Sequence, residues 1–274
     1  MSRRTWVGVA LVCLMLLFGG ALMAPEHLSS IDRDMFFARP SVLPPFGADP
    51  KGRPLLEYAL QGAAVVALPA LCAGGLVALA GIAGGLLRCV GSEAVDAVVQ
   101  ALSEIMGALP RMLVVLVVAL VVPRDARSLM PMAMAWALLA APGAMDEAAA
   151  VAERLGGSRF VEALRAHGYS APRIYLIHVV GHNLRPVVVR QGAETLMQVV
   201  FLEIALSYLA LMEDQPSFTH PDSSRSWASL LEDGYKALFI GDKYPSDHAL
   251  WLGLGLLGLV GLMAASIGRA ARAR

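Results

Sequence analysis

Six histidines, three cysteines and a few acids set within apolar sequence are the residues of this chain that could do chemistry. His178 and His182 stand four residues apart, so on one exposed helix face their imidazoles could share a metal ion. His27, His167, His220 and His248 have no ligand spacing to them. Glu104, Glu203 and Ser207 fall inside apolar runs, where an intramembrane enzyme would carry its acid or nucleophile. No His-Glu-x-x-His motif and no Ser/His arrangement accompanies them. The chain has no phosphate loop of the Gly-x-x-x-x-Gly-Lys-Ser/Thr type and no Gly-Lys pair at all, so it cannot hydrolyse ATP by that machinery. Cys13, Cys72 and Cys89 lie in or beside apolar runs without zinc-type pairing and read as small buried residues. No catalytic residue and no metal site is therefore assigned.

The elements that hold these residues are set by composition. Of 274 residues, 57% are hydrophobic and only 16% are charged, against about 25% charged in an ordinary soluble domain. The mean hydropathy is +0.62. A soluble domain of this size would need a polar coat that this chain lacks. The net charge is zero, which argues against a nucleic-acid partner, since such proteins carry a basic excess.

A spanning helix needs about 20 apolar residues. Six runs qualify: 5–24, 63–87, 98–122, 128–145, 191–212 and 249–268. The first follows Arg3 and Arg4 as a secretory signal would, but it exceeds a typical signal core and reads as an uncleaved helix. The expected fold is therefore an all-α integral membrane protein with about six transmembrane helices. Residues 1–62 form the first helix and an outer segment, and 63–274 form the transmembrane domain proper. Arg and Lys are in modest excess on the side of the N-terminus, where both termini and the connection 146–190 place their arginines. That side is assigned to the cytoplasm. The segments 25–61 and 213–247 are then outside.

Charges within the runs can be placed by spacing. Glu104 and Arg111 would share a helix face about 10 Å apart along the axis, too far for an ion pair. Glu194 is expected at the inner interface. Gly81 and Gly85 form a small-x-x-x-small pair that packs either within the chain or against another. Trp227 and Tyr235 follow a turn-rich stretch, and such residues favour membrane interfaces. The stretch 226–238 is expected to be a partly helical outer element along the membrane surface.

The connection 146–190 has its own punctuation. Residues 146–155 are rich in Ala and read as helix, and Gly156 and Gly157 break it. Ser158 stands where an N-cap would, and the apolar positions from Phe160 give a short helix that ends at Gly168, a residue suited to a left-handed cap. Pro172 can open the next helix, which continues through His178 towards the fifth span. Such a short helix either joins two spans or docks a cytoplasmic partner.

At this point the sequence resembles a known family. VEALRAHGYSAPRIYLIHVVGHNLRP (161–186) is similar to the EAA loop of ABC-transporter permeases, with Glu162, Ala163, Gly168, His178 and Pro186 at matching spacing. Four further segments resemble the dipeptide, oligopeptide and nickel permeases and occur in family order. They are FGADPKGRP (46–54), EIMGALP (104–110), LEIALSYLAL (202–211) and SWASLL (226–231). The chain departs from the pattern at Pro54, Leu164, Gly181, Ala210 and Ala228. It is also acidic at Asp146 and Glu147, where relatives are usually basic.

The resemblance implies a C-type permease subunit of a peptide-class importer, in a bacterial inner membrane. It implies a heterodimer with a second permease, two cytoplasmic ATPase subunits that bind the ATP, an extracytoplasmic substrate-binding protein, and surrounding lipid. No cofactor is expected in this chain. Phe160, Glu162, Ala163, Gly168 and His178 would couple to the ATPase. Glu162 would contact it or cap a neighbouring helix, and the small Ala163 and Gly168 would permit close approach. Glu203 and Ser207 are candidates for the translocation path. For Glu203 a structural role is favoured, because the family carries Glu there whatever the cargo. Peptides are the expected cargo, nickel or a metal chelate the alternative, and an intramembrane enzyme the remaining reading.

Overall fold

The computed structural model describes residues 2–26, 29, 32–36, 38–49, 52–90, 93–123, 128–154, 157–208, 226–240 and 248–272. Among these residues the fold is helical, with one isolated bridge between Ala48 and Pro54. Helix α1 spans Arg3–Leu22, with the Ser2 hydroxyl accepting the Thr5 N–H as an N-cap. Then come α2 (Leu55–Val90), α3 (Glu93–Ala108), α4 (Arg111–Val121), α5 (Leu129–Arg154) and the short α6 (Gly157–Ala166). A π-helical segment, Arg173–Leu184, runs into α7 (Arg185–Tyr208), and α8 (Trp227–Ile240) and α9 (His248–Arg272) complete the bundle.

Four of these helices are long and apolar enough to cross a membrane: α1, α2, α5 and α9. The pair α3 and α4 makes a fifth if counted as one broken span. The protein is thus an all-α, multi-pass membrane protein. Two of the six expected spans take a different form. The third is bent by 79° between Ala108 and Arg111, because Pro110 cannot donate to a helix ladder and pushes the residue before it out of helical geometry. Glu104 and Arg111 therefore lie on separate helices, and Glu104 accepts from Gln100 Nε2 at 3.1 Å instead. The fifth, α7, is a 24-residue helix, but with Arg185, Arg190, Glu194 and Glu203 it is more polar than the others. Its polarity is tolerated because α7 packs between α2 and α9, with Gln191, Thr195 and Glu203 buried.

Helix α2 is the centre of the bundle. It packs most extensively on α5 and then on α7, while α9 joins α7 to α1. Its 36 residues rise about 54 Å, well beyond the roughly 30 Å hydrocarbon core. It begins at Leu55, eight residues before the apolar run that marks it in the sequence. The early turns are held by side chains rather than by hydropathy. Glu57 accepts from the Ser29 N–H at 2.8 Å, and Gln61 Nε2 donates to the Pro25 carbonyl at 3.1 Å. Just upstream, Asp49 is buried and accepts from the Arg53 N–H at 2.7 Å and from the Tyr58 hydroxyl. Gly52, at φ +76°, closes that turn, and a Cβ there would strike the Asp32 carbonyl. The residues flanking this turn, 46–49 and 52–54, thus fix the start of α2.

The SWASLL segment also has a physical role. Trp227 is buried against the bundle, at 1% exposure. Its ring lies over Gly62 of α2, and its Nε1 donates to the Ala59 carbonyl at 3.0 Å. The residues around it do form a helix, α8, whose Tyr235 is exposed. Residues 209–225 and 241–247, which make up much of the expected outer segment 213–247, lie outside the described residues. Trp227 is the largest fully buried side chain. Trp227→Ala should cost about 3–5 kcal/mol through the cavity, and Trp227→Phe about 1 kcal/mol more than a pure shape change through loss of the Nε1 hydrogen bond to the Ala59 carbonyl. Thermal unfolding of the purified chain in detergent reads both, and an unchanged midpoint for Trp227→Ala would show that α8 is not anchored there.

Candidate functional site

The loop helix α6 forms where the sequence places it and starts one residue early, at Gly157, so Ser158 lies inside the first turn rather than at the cap. Residues 155 and 156 lie outside the described residues. Its C-terminus is a complete Schellman turn. Gly168, at φ +81°, donates its N–H to the Arg165 carbonyl at 2.8 Å, and the Tyr169 N–H reaches the Leu164 carbonyl at 3.2 Å. A Cβ at Gly168 would meet nothing within 4 Å. The glycine is therefore required within this chain by φ, not by space.

One edge of α6 is anchored. Val161 is buried in a cluster with Cys89, Ala148, Ala152, Ile174, Val179 and Leu184, with Phe160 and Leu164 packed against it. The other edge is bare: Glu162, Ala163, Ala166 and Gly168 are exposed, and the exposed surface continues through Tyr169 and Pro172 to Leu176 and Ile177. Glu162 makes no hydrogen bond or ion pair to a described residue, so it caps no neighbouring helix among them. Phe160 thus belongs to the anchor, whereas Glu162 and Ala163 belong to the free edge.

Gly168 and His178 are brought together through Tyr169. The Tyr169 ring meets His178 edge-on at 5.2 Å between centroids, and the Arg173 guanidinium lies 5.1 Å over its other side. His178 in turn stacks on His182 at 5.9 Å. The π winding sets this arrangement. Its i−5 pitch is repeated by the side chains, since Asn183 Nδ2 donates to the His178 carbonyl at 2.7 Å and His182 Nδ1 pairs with the Ile177 carbonyl at 2.5 Å. His182 Nδ1 is committed to the backbone, and no group of three His, Cys, Asp or Glu suited to a metal occurs among the described residues. The π segment has no signature in the sequence that simple periodicity detects. The closest signal is Gly181, which stands where related loops carry Pro.

An ionic layer binds the helices beside this loop. Arg88 at the end of α2 pairs with Asp96 of α3 and with Glu153 of α5 at 2.7 Å. Arg190 of α7 pairs with Glu147 of α5 and with Glu194 at 3.1 Å. Gln191 Nε2 adds a hydrogen bond to Glu147 at 2.7 Å. The acidic end of α5 is thereby matched by α7. The Arg190–Glu194 pair was readable as an i, i+4 spacing, but its sharing with Glu147 was not. Arg269 at the end of α9 lies over Trp6 at the start of α1. Both described termini, the loop and the ionic layer therefore occupy one end of the bundle.

Glu203 and Ser207 occupy the other end of α7, about 20 Å along its axis from Arg190. Glu203 is 2% exposed, and its Oε1 accepts from Ser207 Oγ at 3.1 Å. Ser226, at the entrance to α8, stands beside the same carboxylate. The two candidate regions do not touch, but one continuous helix joins them. Gly81 and Gly85 pack inside the chain, against Gln191 and Leu184.

No family model matches this chain. Its sequence is similar to the probable D,D-dipeptide transport system permease protein DdpC of Escherichia coli (strain K12), at 26% identity over 230 residues, or 82% of this chain and 72% of that protein. The match takes the same direction as the five motifs: the chain is distantly similar to a permease protein of a dipeptide transport system.

Proposed function

We propose that this chain is the C-type permease subunit of an importer for peptides or related small solutes. It would form the translocation path with a second permease above two cytoplasmic ATPases, with α6 seated in a groove of an ATPase. The single observation that carries the reading is the half-buried, half-bare α6, whose Val161 edge is keyed into the bundle while its Glu162 edge faces out. A helix that only joined two spans would need no such anchoring. The name of the similar E. coli protein assigns it D,D-dipeptides, which supports a peptide cargo here. An extracytoplasmic binding protein would deliver that cargo at the end of the bundle that carries Glu203 and α8.

Energy would enter by contact, since the chain has no nucleotide-binding loop. A push on α6 acts on α2 and α5 through the Val161 cluster and on α7 through the π segment. Helices move as rigid bodies in such transitions. Movement at the loop would therefore tilt α7 and displace Glu203 and Ser207 about 20 Å away. Ser207 and Ser226, both beside the buried Glu203, are the polar groups that would meet the amino or hydroxyl groups of a solute at that level.

The orientation follows from the arginine distribution: the end carrying the termini and α6 is cytoplasmic. In intact cells, a thiol reagent that cannot cross membranes should label Ser41→Cys and spare Ser158→Cys. Labelling of Ser158→Cys would invert the topology. Ser224, a second outer position, lies outside the described residues.

The coupling role is tested at Gly168. Valine at φ +81° costs on the order of 1–2 kcal/mol and should undo the Schellman turn, whereas asparagine tolerates that conformation. In the reconstituted complex, Gly168→Val should lower solute-stimulated ATPase activity on the order of tenfold while the permease pair still assembles. Gly168→Asn should retain most of it, and Glu162→Ala should give a smaller loss, because an exposed charge contributes little. Normal stimulation in Gly168→Val would reduce α6 to a connector.

A further inference from the structure

Beside the ionic layer a groove of about 310 Å³ opens between α7 and α9, and no role described above uses it. Its floor is made by Gly261, Ala264, Ala265 and Gly268 of α9. Its rim carries Arg190, Arg269 and Arg272 against the one carboxylate of Glu194. Arg190 is already matched by Glu147 and Glu194. Arg269 and Arg272 form no ion pair with a described residue, and Arg269 is held over the Trp6 ring at 4.5 Å. Arg3 lies one helical turn from Trp6 on the same face of α1 and adds to the surplus.

The dimensions match one leaflet. From Gly261 to Arg272 the helix rises about 16 Å, half of the roughly 30 Å hydrocarbon core. The apolar floor then lies at acyl-chain depth and the arginines at the level of the headgroups. Trp6 is the residue type that marks that level. A free anion would use the rim but gain nothing from the floor, and an uncharged lipid would use the floor but leave the rim unmatched. Basic pockets between membrane helices hold anionic headgroups for this reason.

We propose that this groove binds an anionic phospholipid, with the phosphate on Arg269 and Arg272 and one acyl chain along the small-residue floor of α9. The inference goes beyond the transport role and rests only on the chain being embedded in a bilayer.

The test uses the full-length chain with the subunits that copurify with it. The complex is extracted from bilayers containing equal phosphatidylglycerol and phosphatidylcholine, and the retained lipid is quantified by native mass spectrometry. Phosphatidylglycerol should be retained in preference. The pair Arg269→Gln and Arg272→Gln should lower its retention on the order of tenfold. Ala265→Trp fills the floor without touching the charges and should lower it as well, which keeps the proposal testable should the arginine variant fold poorly. Millimolar inorganic phosphate should neither displace the lipid nor reproduce its protection against thermal unfolding. Equal retention of the two lipids would overturn the proposal. So would full protection by phosphate alone, or a cross-link from Ala265→Cys to another subunit seated in the groove.

Discussion

The bundle depends on how closely α5 and α7 approach α2. Gly74 of α2 lies against the backbone of Gly192, so that a Cβ on either would come within 2.6–3.1 Å of the other's carbonyl oxygen. Gly84 sits on the backbone of Met145 in α5, and Gly85 beneath the Leu184 side chain. Apolar surface gives little net drive between helices in lipid, so association rests on close packing and on polar contacts. The glycine contacts supply the first. Once they bring the helices together, the Glu147–Arg190–Gln191 network supplies the second at the end where water is near. An added methyl at Gly74 would separate α7 from α2 and would also loosen the ion pairs beyond.

This constraint explains why α7 can carry so much polarity. Gln198 receives the indole N–H of Trp136 at 3.0 Å, Thr195 bonds back to the Gln191 carbonyl at 2.9 Å, and Glu203 meets Ser207. These buried polar groups are met by a neighbouring helix or by an adjacent turn of α7 itself, although Gln191 Oε1 has no partner among the described residues. A helix facing lipid along its length could not accommodate them, because an unsatisfied polar group in hydrocarbon costs several kcal/mol. α1 and α4 show the opposite pattern, with Leu11, Met15 and Leu16 on the one and Leu113, Val117 and Leu120 on the other left outside the bundle. Apolar exposure of that kind is what lipid contact requires.

What could be read from the sequence and what could not divide along the same physical line. Local signals were legible. The apolar runs gave α1, α2, α5 and α9, and Gly168 was legible as the left-handed cap just beyond the last helical residue of α6, Ala166. Contacts that depend on a distant partner were not. The residue type of Trp227 records amphipathicity, but its packing against Gly62, far away in the chain, could not be read from it. The first turns of α2 were missed because Glu57 and Gln61 are polar, and their partners Ser29 and Pro25 come from the preceding segment. The break at Pro110 was visible as a residue but was overridden by continuous hydropathy. At the candidate site, the short helix and its glycine cap were foreseen, but not which edge of α6 is buried and which is bare. The π winding that brings His178 onto Tyr169 was not.

The π segment links these observations mechanically. A π turn is wider than an α turn and makes poorer internal contacts, so it persists where surrounding packing holds it. Here Ile174, Val179 and Leu184 are fully buried against α2 and α5 while Leu176 and Ile177 remain outside. In a straight α-helix, residues five apart are rotated by about 140° relative to each other, so Ile174, Val179 and Leu184 would not all point into one cluster. The wider winding brings them closer to one face and keeps Tyr169, Arg173 and His178 stacked at the other. The same twelve residues therefore serve α6 and α7 at once. They fasten the loop helix to the bundle, and they set the rotation at which α7 presents Glu203 and Ser207 beyond it.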